Sequence, residues 1–217
     1  DAVPLGTVTV TATGPGTYTS PKVTLPDAGF VTWVWEVKKS SQPECVGPFI
    51  ASDWRDEYGI NVETHSVRWP LTITSEVREY NVHKGGRAFD RITVSGFPAN
   101  HAEFEGDGYW QPDVKELTHT VYGPFATDAE LTGDMVLDDA PVLTRITTPA
   151  RNGVYDIGYG EDDRIQPTEA GYYVVVTRFE GDDRVQPFTS SPADIWERFF
   201  VPGPEQPLSV VTQAQAS

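Results

Sequence analysis

AGYYVVVTRF, residues 170–179, decides the fold. A breaker glycine is followed by a dense run of aromatic and β-branched residues, long enough for a strand buried on both faces. FVTWVWEV at 30–37 reads the same way. Outward from these, Thr7-Val8-Thr9-Val10-Thr11, Leu71-Thr72-Ile73-Thr74 and Ile92-Thr93-Val94-Ser95 alternate at period two, as half-buried strands do. Breakers separate the runs at Gly14-Pro15-Gly16, Pro26-Asp27-Ala28-Gly29, Gly85-Gly86, Asn152-Gly153 and Gly181-Asp182. Helix signals amount to one turn each around 53–58 and 191–197. Short strands with frequent turns predict an all-β chain, a sandwich or a barrel.

The chain also resembles itself. Pro4, Thr7, Thr11, Gly16 and Tyr18 recur 137 positions later as Pro141, Thr144, Thr148, Gly153 and Tyr155. Ala28-Gly29-Phe30 matches Ala170-Gly171-Tyr172, Pro48-Phe49 matches Pro187-Phe188, and Ser52-Asp53 matches Ala193-Asp194. Pro70-Leu71-Thr72-Ile73 matches Pro207-Leu208-Ser209-Val210, again at 137. Five ordered blocks predict a repeated module of immunoglobulin size, with 67–204 one full unit and 1–66 a partial copy. The expectation is two tandem Ig-like antiparallel β-sandwich domains, 1–84 and 85–217. The polar, glycine-rich stretch 83–87 serves as linker, and strands 70–77 and 207–213 close the two domains. A boundary near Pro70 is the alternative.

Composition narrows the function classes. Sixteen Lys plus Arg stand against 32 Asp plus Glu, a net charge of −16. Such a surface repels phosphate backbones and anionic lipid, so nucleic acid is no partner. No apolar run of about 18 residues exists to insert in a membrane. Cys45 is the single cysteine, which precludes an intrachain disulfide without arguing against export. No signal peptide or sorting signal is present, and the chain reads as a mature piece of something longer.

FDRITVSGFPANHAEF (89–104), THTVYGPF (118–125), NGVYDIGYG (152–160) and AGYYVVVTRFEGDDRVQPFTSSPADIWERFFV (170–201) together resemble the tandem β-sandwich repeat modules of actinobacterial cell-wall-anchored surface proteins. The resemblance implies an extracellular, array-forming structural or adhesive module, a stalk or adhesin repeat. Anchoring would lie outside this chain. Neighbouring repeats and a host or matrix glycan or protein are the implied partners, and no catalysis is implied.

Individual residues offer few chemical alternatives. Trp33 and Trp35 point to one face of their strand and read as core wall, since the repeat puts Val175 and Thr177 there. Tyr109 and Trp110 lie in a loop rich in breakers and are the candidate ligand-binding residues, as stacking partners for sugar rings in a carbohydrate-binding module. Glu161, Asp162 and Asp163, with Asp182 and Asp183, are oxygen-rich turns that make calcium the one candidate ion. They lack the alternating spacing of an EF-hand, and each is followed by an arginine, so solvated hairpin turns are the competing account. His65, His83, His101 and His119 are scattered, and no nucleophile elbow or phosphate loop appears, so no cofactor and no enzyme are expected. Thr93 is the residue where an intramolecular ester could start, but no glutamine stands near Glu197-Arg198 to receive it.

Overall fold

The structure is a computed structural model describing residues 3–25 and 27–204. It is all-β: among the described residues helical geometry is limited to three-residue 3-10 turns. The chain divides into two compact units, Asp1–Trp69 and Pro70–Ser217.

The first unit contains strands β1 (Gly29–Thr32), β2 (Glu36–Val37), β3 (Trp54–Arg55) and β4 (Thr64–Val67). β1 pairs antiparallel with β4 from Gly29 opposite Val67 to Thr32 opposite Thr64. β2 pairs with β3, Glu36 opposite Arg55 and Val37 opposite Trp54. The expected continuous strand 30–37 is therefore interrupted, and its residues are half-buried or exposed.

The second unit holds β5 (Thr72–Val77), β6 (Asp90–Ser95), β7 (Glu116–Phe125), β8 (Val142–Pro149), β9 (Gly153–Ile157), β10 (Gly171–Phe179), β11 (Phe188–Thr189) and β12 (Arg198–Val201). One sheet runs β5-β6-β9; the other runs β8-β7-β10, with β11 and β12 both on the free edge of β10. β6 alternates perfectly between buried and exposed positions, sending Ile92 and Val94 inward. Leu117, Val121, Tyr173 and Val175 are buried in the other sheet. This is the pattern of two sheets packed face to face, in the strand order of an immunoglobulin-type sandwich whose fourth strand pairs with the third. β10 is buried on both faces because the β7–β8 connection covers its outer side. There Leu131, Met135 and Leu137 pack against Phe125, Val174 and Val176.

The domain boundary expected at Gly85-Gly86 is corrected. β5 pairs with β6 along six residues, from Thr72 opposite Ser95 to Val77 opposite Asp90, which ties it to the second unit. The polar stretch 83–87 only resembles a linker. Gly86 is buried, Gly85 N donates to Pro167 O, and Gly85 O accepts from Gln166 Nε2. The division lies at the alternative position, Pro70. The closing strand expected at 207–213 lies outside the described residues.

The two units share a hairpin at matching register. β1 and β2 correspond to β10 at an offset of 142: Gly29 to Gly171, Val37 to Phe179. β3 and β4 correspond to β11 and β12 at an offset of 134: Trp54 to Phe188, Val67 to Val201. Asp56 N donates to Trp35 O, as Ser190 N donates to Thr177 O, both at 2.9 Å. The Tyr18 hydroxyl donates to Gly14 O, as the Tyr155 hydroxyl donates to Arg151 O. The register corrects two of the five sequence matches, since Phe188 answers Trp54 rather than Phe49, and Asp194 answers Ile60 rather than Asp53. The cause is loop length: residues 38–53 connect β2 to β3, where only 180–187 connect β10 to β11.

Gly29 and Gly171 open the shared strand with φ of 143° and 148°, backbone that L side chains rarely adopt. A Cβ at Gly171 would also lie 2.7 Å from Phe125 O and from Pro124 Cβ. Gly171→Ala is expected to cost about 1–3 kcal/mol, read as a lowered urea midpoint with unchanged denaturant slope.

Candidate functional site

The residues singled out from the sequence fall at different turns of the second unit. The β6–β7 loop, 96–115, carries Tyr109 and Trp110, and the β10–β11 turn, 180–187, carries Asp182 and Asp183. These two are stitched together. Gln111 N, beside Trp110, donates to Asp183 Oδ2 at 2.7 Å, and Val114 N donates to Asp182 Oδ2 at 3.1 Å.

Glycines and an aspartate shape the aromatic loop. Gly106 and Gly108 take φ of 80° and 89°, and a Cβ at Gly106 would meet Trp110 O at 2.8 Å. Asp107 Oδ1 accepts from Trp110 N at 2.8 Å and from Tyr109 N at 2.9 Å, which holds its carboxyl below the usual range. Trp110 is half-buried, and Tyr109, 49% exposed, meets it edge to face with ring centroids 5.3 Å apart. A fixed aromatic edge at a loop tip can stack on a planar or sugar ring with little ordering cost.

Beneath the loop lies a buried polar cluster whose connections the sequence did not reveal. His101 Nδ1 sits 2.7 Å from Ala150 O and its Nε2 2.9 Å from Asp182 Oδ2, so both ring nitrogens face acceptors. Arg184 donates to Asp113 at 3.1 Å, and Asp113 Oδ2 also accepts from Ala102 N at 2.9 Å and Phe104 N at 3.3 Å. Burial pushes the Asp182 carboxyl up, but bonds from His101 and from the backbone of Arg184, Val114 and Val185 outweigh it and hold it low.

His101, Asp113 and Asp182 bring three ligand-type atoms within 4.8 Å of one another. The donor set fits a protein clamp better than a cation. Both Asp182 oxygens accept N–H bonds, and a buried guanidinium already neutralises Asp113. Millimolar calcium is therefore expected to shift the melting temperature by no more than about 2 °C, since only tight native-state ligands stabilise appreciably. Differential scanning fluorimetry with and without chelator checks this.

The acids Glu161, Asp162 and Asp163 occupy the β9–β10 turn. Glu161 pairs with Arg87 at 2.5 Å and with Arg164, and Asp163 Oδ2 accepts from Gly158 N at 3.0 Å. Asp162 is exposed. Thr93 sits on the exposed face of β6.

Two further buried groups carry perturbed chemistry. Asp90 and Glu197 are 1% and 2% exposed, and each keeps one buried oxygen without a hydrogen-bond partner. The Ser75 hydroxyl donates to Asp90 Oδ2 at 2.6 Å. Burial, reinforced by the charge of Asp90, pushes Glu197 up to about 8. The first unit repeats the feature, for Glu63 corresponds to Glu197 in register, keeps a buried oxygen unpartnered, and is raised by burial and by Asp56. His119 lies between Thr177 Oγ1 at 2.9 Å and Thr148 Oγ1 at 2.8 Å, and burial lowers it to about 4. Asp90 was legible as inward, two residues from Ile92 on the same face; Glu197 offered no such signal.

No family model matches this sequence, and no curated protein matches it. Two crystal structures of β-glucosidase from Listeria innocua, with glucose and with gluconolactone, align with 62% and 68% of this chain at 7% identity and TM-scores of 0.29 and 0.30. The aligned region spans 16% and 19% of those proteins. Likeness at that level carries no argument about activity.

Proposed function

We propose that this chain is a non-enzymatic structural module of an extracellular repeat protein, a stalk or adhesin segment of a bacterial surface array. The observation that carries the reading is the shared hairpin: each unit has a glycine-opened strand segment paired at matching register with its partners, and each has a Tyr–carbonyl bond. A chain that repeats one hairpin in tandem gains length and spacing rather than a new site. The acidic surface suits an exposed polymer that must stay soluble. Neighbouring repeats are its first partners, and a host or matrix glycan or protein is the second.

Pulling the whole chain by its ends tests this. The second unit should give one discrete unfolding event, with a contour-length gain near that of 70–204 at about 3.5 Å per residue. Gradual extension at low force would contradict a load-bearing role. A second reading, carbohydrate binding, draws on the stiff loop that presents Tyr109 beside Trp110. Selective glycan-array binding that disappears in Trp110→Ala would favour it.

A further inference from the structure

We propose that the outer face of the β5-β6-β9 sheet is a binding site for a neutral oligosaccharide chain, with Trp196 as its stacking platform. Strand register builds the face. Thr74 stands opposite Thr93, which stands opposite Val154; two residues along, Glu76 stands opposite Arg91, which stands opposite Asp156. The strands alternate, so these six residues are exposed while Ile73, Ile92 and Val94 are buried beneath them. Thr74, Ser75, Glu76, Arg91, Thr93 and Trp196 line a cavity of about 330 Å³, and Glu76, Arg78 and Arg91 line a second of about 260 Å³. The shared Glu76 and Arg91 join the two into one groove. From Thr74 to Arg78 it follows the strand for about 13 Å, which suits several linked rings better than one.

Three observations choose the ligand. The first is Trp196, 61% exposed yet held on both sides: Asp194 Oδ1 accepts from Trp196 N at 3.0 Å, and the next residue, Glu197, is buried. A large ring fixed at the rim of a groove can cover the C–H face of a sugar at little ordering cost.

The second is a set of unspent donors and acceptors. Arg91 gives Nε and Nη2 to Asp156 at 2.7 and 2.9 Å, which sets the guanidinium plane and leaves Nη1 for a ligand. Among the described residues, the side chains of Thr74, Glu76 and Thr93 make no hydrogen bond. Two hydroxyls, a carboxylate and a guanidinium N–H edge together match the mixed donors and acceptors of sugar hydroxyls.

The third is charge. Arg78 and Arg91 balance Glu76 and Asp156 in a chain whose net charge is −16, so the groove favours neither anion nor cation. A peptide added as a strand needs an open backbone edge, and a sheet face offers side chains only. A neutral saccharide combines the apolar ring face and the hydroxyls that this lining calls for.

The site deepens the adhesive side of the repeat-module reading, on which it rests, and it is separate from the Tyr109–Trp110 loop. The unmodified chain is applied to an array of neutral and acidic oligosaccharides, beside Trp196→Ala, Thr93→Lys and Trp110→Ala. The expected result is binding to at least one neutral chain of several rings. Trp196→Ala and Thr93→Lys should each weaken it at least about tenfold, and Trp110→Ala should leave it unchanged. Both groove residues are exposed, so the urea midpoints should stay with that of the parent; Thr93→Lys blocks the groove while keeping the tryptophan. No binding to any neutral chain, binding to acidic chains alone, or a loss confined to Trp110→Ala overturns the proposal. The pulling experiment fails separately. A mechanically weak chain that binds through Trp196 overturns load bearing alone, and a strong chain that binds no glycan overturns this site alone.

Discussion

Replacing Arg184 by alanine is expected to destabilise the second unit by about 3–5 kcal/mol, among the largest effects of any single change outside the apolar core. The side chains of Arg184 and Asp113 are 8% and 1% exposed, with 3.1 Å between Nη1 and Oδ2. Removing the guanidinium strands a buried carboxylate, and it also releases Asn100 Oδ1 and uncovers the Phe104 ring. Asp113 is then left buried without its counter-charge, which loosens the loop that presents Tyr109 and Trp110. Replacing both partners, Arg184→Met with Asp113→Leu, should recover much of the loss, because an apolar pair leaves no unpaired charge. Urea unfolding of the three proteins measures this. A loss below about 1 kcal/mol in Arg184→Ala would mean that the pair is wet and marginal.

The second large effect depends on pH. Glu197 is raised in the folded chain, from 4.5 to about 8, so the folded state keeps a proton that the unfolded state gives up. Its contribution is fully present below about pH 4.5 and is lost as pH rises through about 8. At about 1.4 kcal/mol per unit, the full swing is on the order of 4–5 kcal/mol. Asp90 is raised by the same burial and adds in the same direction. His119 works oppositely: lowered from 6.5 to about 4, it costs stability as pH falls through that window. Stability should therefore drop from pH 6.5 to 9, where His119 no longer titrates and Glu197 does. Glu197→Gln, which keeps the shape and removes the charge, should flatten that drop. An identical pH profile in the variant would assign the alkaline loss elsewhere.

Much of the fold was legible because the relevant forces are local. The period-two run at 92–95 marked a half-buried strand, which the structure extends to 90–95 with Ile92 and Val94 inward, and the apolar run after Gly171 marked a strand covered on both faces. The domain boundary was misread because residues 83–87 look like a linker when solvent is assumed. Only the pairing partner of Gly85 shows that the loop is held. The same limit explains the slipped repeat matches at Phe49 and Asp53: loops differ in length without altering the register of the strands they join. Of the site, Tyr109 and Trp110 were visible as loop aromatics. The cluster of His101, Asp113, Asp182 and Arg184 was hidden, because its members come together only when two loops meet at one end of the sheets.

The central claim is that both units are built from one module, with the shared hairpin set by offsets of 142 and 134. Cross-strand nuclear Overhauser effects on the labelled chain test it most directly. The account predicts contacts of Phe30 with Ser66 and Val37 with Trp54, matching those of Tyr172 with Phe200 and Phe179 with Phe188. A register in the first unit displaced by even one residue would turn its side chains to the opposite face and contradict the common module.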